Sequence, residues 1–283
     1  MTTVECERRA MRHAIALSAL GHGTTSSNPP VGCVVFDENG HVLGQGWHRR
    51  KGESHAEAHA VAQAGSHARA GTAVVTLEPC CHHGRTPPCH QTLIDAGIAR
   101  VVIAVLDPTS RGRGGAALPR EAGIDVTVGV LADEARLVPG PWLTALDHQR
   151  PVLTWGCTLT PEGTLTGKPT VLPREVDTLV HDGGAVPEPG SPGTATPLVS
   201  LPQEPRHALD VLYRSGTRTA GLAVAMPQVR PYLHADLVDH IEIRVPADMP
   251  SALVFPDGYR LTGTARLPKG VWLSMSRDDD GVV

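Results

Sequence analysis

The chain reads as α/β throughout, with a three-layer α/β/α domain over residues 1–145 followed by a second α/β domain over 146–283. Three observations lead there. Short runs rich in Val and Ile alternate with helical patterns through the first 130 residues, the order that builds a mixed sheet covered by helices. The turn-rich Pro139-Gly140-Pro141 interrupts that alternation, and a new strand pattern opens at Pro151. A length of 283 residues also suits two domains.

Taken in order, Val4 to Leu20 places Met11, Ala14, Ile15 and Ala19 at three- and four-residue steps, which predicts an amphipathic helix with Thr3 as N-cap. Val31 to Phe36 is a strand, Asp37-Glu38-Asn39-Gly40 has turn chemistry, and His41 to His48 returns as a second strand. A helix from about His55 to Ala64, closed by Gly65, puts His55 and Glu57 in its first turn. Thr72 to Leu77 is a buried strand, and Pro87 or Pro88 suits the first position of a helix carrying Cys89. Arg100 to Leu106 and Asp125 to Val130 are further strands, with loop and a short helix between Gly112 and Gly123. In the second domain Pro151 to Thr158, Thr219 to Ala225 and Val238 to Val245 read as strands and Ala208 to Gly216 as a helix. Six prolines between Asp182 and Pro205 mark loop or linker.

Composition narrows the function classes. Twenty-five basic against 29 acidic residues give a net charge of −4 without a long basic run, which speaks against binding to long nucleic acid. Aromatics make up only 3% of the chain, so the core is built from Ala, Val, Leu and Ile. Six clustered cysteines do not make a disulfide framework for a chain of this size. The N-terminal stretch lacks an apolar signal region and no uncharged apolar run reaches spanning length, so a reduced cytoplasmic protein without membrane attachment is expected.

The chemistry gathers in two short stretches, His55-Ala56-Glu57 and Thr76 to Cys89, T-L-E-P-C-C-H-H-G-R-T-P-P-C. His55, Cys80 and Cys89 supply an imidazole and two thiolates, three ligands for Zn2+ where a closed structural site has four. Three protein ligands leave a position for water, whose pKa the metal lowers toward neutrality. Glu57 lies two residues past the histidine, within reach of that water without ligating the metal, the H-x-E plus P-C…C pattern of zinc deaminases. The competing reading is a closed zinc knuckle that recruits Cys81, His82, His83 or His90 as fourth ligand.

These residues, with Asn28-Pro29-Pro30-Val31-Gly32 before them and an eight-residue gap between Cys80 and Cys89, resemble the deaminase half of the bifunctional riboflavin-biosynthesis deaminase/reductase family. The resemblance implies a cytidine-deaminase-like first domain and hydrolysis of an exocyclic amine from a phosphorylated ribosylaminopyrimidine, with Glu57 as catalytic proton shuttle. Matched to the family's substrate contacts are Asn28, His48, His82, Arg85 and Asp107, the guanidinium of Arg85 being suited to phosphate. Asn28 equally caps a turn before Pro29, and His48 equally ends a strand. The family's D-P-N-P is Asp107-Pro108-Thr109-Ser110 here, a departure at the ribose-phosphate end of the site.

The second domain resembles the family's dihydrofolate-reductase-like half only at its opening, Arg150 to Thr154 with Pro161-Glu162-Gly163, and is shorter than that half. Where the family carries a V-E-G-G turn this chain has Ala223-Val224-Ala225-Met226-Pro227, and Gly156 and Glu162 stand at its lysine and aspartate positions. No cofactor site is expected in this domain, whose remaining role reads as packing or homo-oligomerisation. Three functions compete: a deaminase of riboflavin type with one activity, a complete deaminase/NADPH-dependent reductase, and a non-catalytic zinc scaffold.

Overall fold

A computed structural model describes residues 3–81, 87–109, 114–167, 176–181, 184–187, 203–247 and 256–278. It divides into two compact units, Met1–Gly140 and Pro141–Val283, so the division falls slightly ahead of residue 145. The division lies within Pro139-Gly140-Pro141, where residues 137–139 form a turn and the chain becomes helical at Gly140. Gly140–His148 is a helix, α6, with Pro141 in the first turn, where its missing N–H costs no intrahelical bond.

The first unit is built on a five-stranded mixed sheet of order β2-β1-β3-β4-β5, formed by β1 (Gly32–Phe36), β2 (Val42–Trp47), β3 (Thr72–Leu77), β4 (Arg100–Val105) and β5 (Asp125–Val128). β1 is antiparallel to β2 and β3, whereas β3, β4 and β5 run parallel. The Asp37 carboxylate closes the β1–β2 turn by accepting the N–H groups of Asn39 and His41, and Gly40 takes φ +82° there.

Strand alternation sorts the core into two layers. Cys33, Val35, Ala73, Val75, Val101 and Ile103 face Ala56, Ala60 and Ala64 of α2 (Ala56–Ala64) and Leu93 of α3 (Cys89–Asp95). Val34, Phe36, Val74, Val102 and Ala104 face Met11, Ala14 and Leu17 of α1 (Thr3–Ala19). This double covering explains why β1, β3 and β4 read as unbroken apolar runs. The expected α/β/α sandwich is therefore present. Smaller pieces complete it, namely a short helix α4 at Ala117–Glu121 and α5 at Ala132–Arg136, the latter unassigned from sequence.

The second unit holds an eight-stranded sheet in which β6 (Val152–Leu159), β8 (Thr178–His181), β10 (Thr219–Leu222) and β11 (His240–Pro246) are parallel where they pair. β7 (Leu165–Gly167), β9 (Gly184–Pro187), β12 (Tyr259–Leu267) and β13 (Gly270–Arg277) join it antiparallel. Its core is Leu153, Trp155, Cys157 and Leu159 on β6 with Ile241, Ile243 and Val245 on β11. Two expectations change here. β9 falls inside the 182–205 stretch read as loop, where it pairs with β8. Pro205 starts α7 (Pro205–Ser215), whose N-cap Glu204 accepts the N–H groups of Arg206 and His207 and whose C-cap Gly216 takes φ +106°.

Candidate metal centre

The ligand-type side chains arrive from three directions. His55 is the N-cap of α2, Cys80 follows β3 by way of Glu78-Pro79, and Cys89 is the first residue of α3 with Pro88 as its N-cap, one position earlier than expected for the proline. The sheet lets α2 come close because β2 presents glycine to it. A Cβ on Gly44 would sit 2.1 Å from the Ala60 carbonyl oxygen, and one on Gly46 would sit 2.5 Å from that of Ala56. Two N-terminal helix ends therefore point at one place, where they favour anionic sulfur.

The result is a compact triangle. His55 Nδ1 lies 3.2 Å from Cys89 Sγ and 3.6 Å from Cys80 Sγ, and the two sulfurs are 3.4 Å apart. Ligands of a tetrahedral zinc at its usual bond lengths stand about 3.6 Å apart, so this donor set fits that ion. Among the described residues these three make the only such group. His90 turns Nδ1 to the Cys80 carbonyl oxygen at 3.1 Å, Cys81 lies outside the group, and His82 and His83 lie outside the described residues. Cys80 Sγ shares a hydrogen bond with Cys89 Sγ, faces His55 Nδ1 and accepts the Cys89 backbone N–H at 3.4 Å, contacts that pull its thiol down well below the ordinary range despite burial. One proton of the sulfur pair is thus already easily lost.

Glu57 stands beside the triangle without joining it. It is 2% exposed, and its Oε2 is buried with no hydrogen-bond partner. Burial pushes its carboxyl up from the ordinary value, with His55 opposing. A buried carboxylate oxygen without a donor is costly, and such an orphan in a metal-ligand cluster is what a bound ion with its water would satisfy.

Asn28 and His48 come together next to the triangle. Asn28 Nδ2 is 3.3 Å from His48 Nε2, His48 Nδ1 faces the Ser54 carbonyl oxygen at 3.4 Å, and the His48 and His55 rings meet edge to face at 4.9 Å. Burial lowers the His48 pKa to about 4, which keeps its ring neutral. Asp107 follows β4 and accepts the Thr109 N–H at 2.7 Å. His82 and Arg85 lie outside the described residues. Sequence reasoning passed over Glu78. Its carboxylate accepts the N–H groups of Asp107 at 3.2 Å and Ala116 at 2.8 Å.

Fold and site together define a cytidine-deaminase-like zinc protein, and residues 4–105 match the model of the cytidine and deoxycytidylate deaminase zinc-binding region. The chain belongs to the diaminohydroxyphosphoribosylamino-pyrimidine deaminase family: it is 46% identical over 131 residues to the deaminase of that name from Buchnera aphidicola of Schizaphis graminum, covering 46% of this chain and 88% of that one. It is 44% identical over 167 residues to the riboflavin biosynthesis protein RibD of Aquifex aeolicus and 51% identical over 127 residues to that of Escherichia coli. Those matches cover 58% and 44% of this chain, but only 47% and 34% of the relatives' own length. In fold, a Thermotoga maritima diaminohydroxyphosphoribosylaminopyrimidine deaminase/5-amino-6-(5-phosphoribosylamino)uracil reductase superposes with TM-score 0.79 at 20% identity, covering 98% of this chain and all of that one. No helix among the described residues is long and apolar enough to cross a membrane.

Proposed function

We propose that this chain is a zinc-dependent hydrolytic deaminase of an aminopyrimidine, acting on the diaminohydroxyphosphoribosylaminopyrimidine for which its Buchnera relative is named or on a related heterocycle. The observation that carries the reading is the three-donor cluster with a buried carboxylate beside it, one oxygen of which has no hydrogen-bond partner. His55, Cys80 and Cys89 would hold the ion. When bound, zinc acidifies a water and so supplies a nucleophile near neutral pH.

The remaining chemistry belongs to the chain. Glu57 takes a proton from the attacking water at Oε2 and returns protons to the ring nitrogen and the departing amine, so that water and a cyclic amidine become a carbonyl and ammonia. Burial suits Glu57 to both halves of that cycle, since a raised carboxyl pKa makes it a better base and keeps its proton available for return. Neutral His48, with Nε2 facing the Asn28 amide, lines the approach and orients the base or ribose; Asp107, His82 and Arg85 serve the sugar-phosphate end.

The test is direct. Purified, zinc-loaded protein is incubated with the diaminopyrimidine phosphate, and ammonia is measured against a chelator-treated control. Zinc-dependent release is the expected result, and none from this or any related aminopyrimidine would overturn the reading.

A further inference from the structure

Glu78 sits two residues before Cys80, is 8% exposed, and continues the β3–β4 pairing by donating its N–H to the Val105 carbonyl oxygen at 2.8 Å. Its two carboxylate oxygens are divided between two other segments. Oε2 accepts the N–H of Asp107 at the exit of β4, and Oε1 accepts the N–H of Ala116, the N-cap of α4. A carboxylate buried without donors is costly. This one is offset by two backbone groups that stand 29 and 38 residues away in the chain. It therefore fastens both of those segments to the residue from which Cys80 is reached. Asp107 is held in turn, because its own Oδ1 closes a tight turn onto the Thr109 N–H.

We infer that Glu78 is a positioning residue that places the Asp107 turn and the start of α4 relative to the metal cluster, and so sets how the sugar-phosphate end of the aminopyrimidine is bound. This role rests on the deaminase reading above. Position at a binding turn separates in kinetics from metal chemistry: loosening the turn weakens substrate binding, whereas disturbing Cys80 or Glu57 removes zinc or slows the reacted complex.

Glu78→Gln keeps the side chain's size and one acceptor but turns an amide N–H2 toward one of the two backbone donors. Expected are unchanged zinc content, kcat within about 3-fold of wild type and KM for the diaminopyrimidine phosphate raised roughly 10-fold or more. Backbone hydrogen exchange should quicken at Asp107 and Ala116 and stay unchanged in α2. An unmoved KM, or loss of zinc or of kcat with KM constant, would overturn the role. Exchange in the unaltered protein gives a check that needs no variant, since fast exchange at both Asp107 and Ala116 would also overturn it. If the wild-type chain releases no ammonia from this probe, the deaminase reading fails on its own, and exchange at those two amides in wild type and Glu78→Gln still decides whether Glu78 holds them.

Discussion

Glu57 and His48 are both buried ionisable side chains, and their surroundings give them opposite work. Glu57 has one oxygen with no partner, whereas both ring nitrogens of His48 face polar atoms. Replacing Glu57 by Gln keeps shape but removes the proton carrier, so zinc content should hold while ammonia release falls about 10²-fold or more. Metal analysis alongside an ammonia assay checks this, and a near wild-type rate would sink the mechanism. For His48, a pKa of about 4 in the fold against 6.5 for a free imidazole means that the unfolded chain binds the extra proton more readily. The stabilisation from keeping it neutral is therefore present above pH 6.5 and is lost as pH falls toward 4. Imidazole NMR should show His48 neutral at pH 5.5, and a titration centred near 6.5 would contradict its burial. His55, Glu57, Cys80 and Cys89 were legible in the sequence because ligand chemistry restricts residue type and spacing together. Glu78 was not, because an acceptor for two distant backbone N–H groups leaves no local pattern.

At the scale of elements, the placement of α2 decides whether His55 and Glu57 reach the site. Its alanines at 56, 60 and 64 lie against Gly44 and Gly46 on β2, a contact with no room for one more methyl group. In Gly46→Ala the new Cβ would lie 2.5 Å from both the Ala56 carbonyl oxygen and the His59 Cβ, so the helix must shift. Stability should drop by about 1–3 kcal/mol, as overpacking commonly costs, and zinc should bind more weakly. Gly140→Ala, with no atom within 4 Å of its added methyl, serves as the control. Thermal melting and zinc competition would show the difference, and equal behaviour of the two variants would refute the packing account. β1, β3 and β4 were readable from apolar runs because helices cover both faces. The β12–β13 hairpin was not. Most of β12 is exposed, so its alternation of Leu, Thr and Arg carries little apolar signal. Helix α8 (Met226–His234) was hidden by Pro227, which is tolerated in the first turn, and by Pro231 inside it.

For the molecule as a whole, a second, reductase activity would require the second unit to hold a nicotinamide dinucleotide. A dinucleotide bound at a parallel sheet sits beyond the carboxyl ends of the strands, with phosphates on free backbone N–H groups at a helix N-terminus. β10 leads into such a terminus at α8, with Ala225 as N-cap. Its donors are largely absent or used. Pro227 has no N–H, and the N–H groups of Gln228 and Val229 both bond the Ala225 carbonyl oxygen at 3.1 Å. The segment that leads into α8 is also tightly packed, since the Val224 carbonyl oxygen accepts the Trp155 indole N–H at 3.2 Å and β7 lies so close that a Cβ on Gly167 would fall 1.6 Å from that oxygen. Phosphates placed here would be desolvated without matching donors, which is strongly unfavourable. Calorimetric titration of the full chain with NADPH should therefore show no binding in the micromolar range, and mixing NADPH with the deaminated product should leave the absorbance of the reduced nicotinamide unchanged. A clear one-to-one isotherm, or oxidation that depends on the product, would restore the two-activity reading and require the dinucleotide to be held by other residues of this unit.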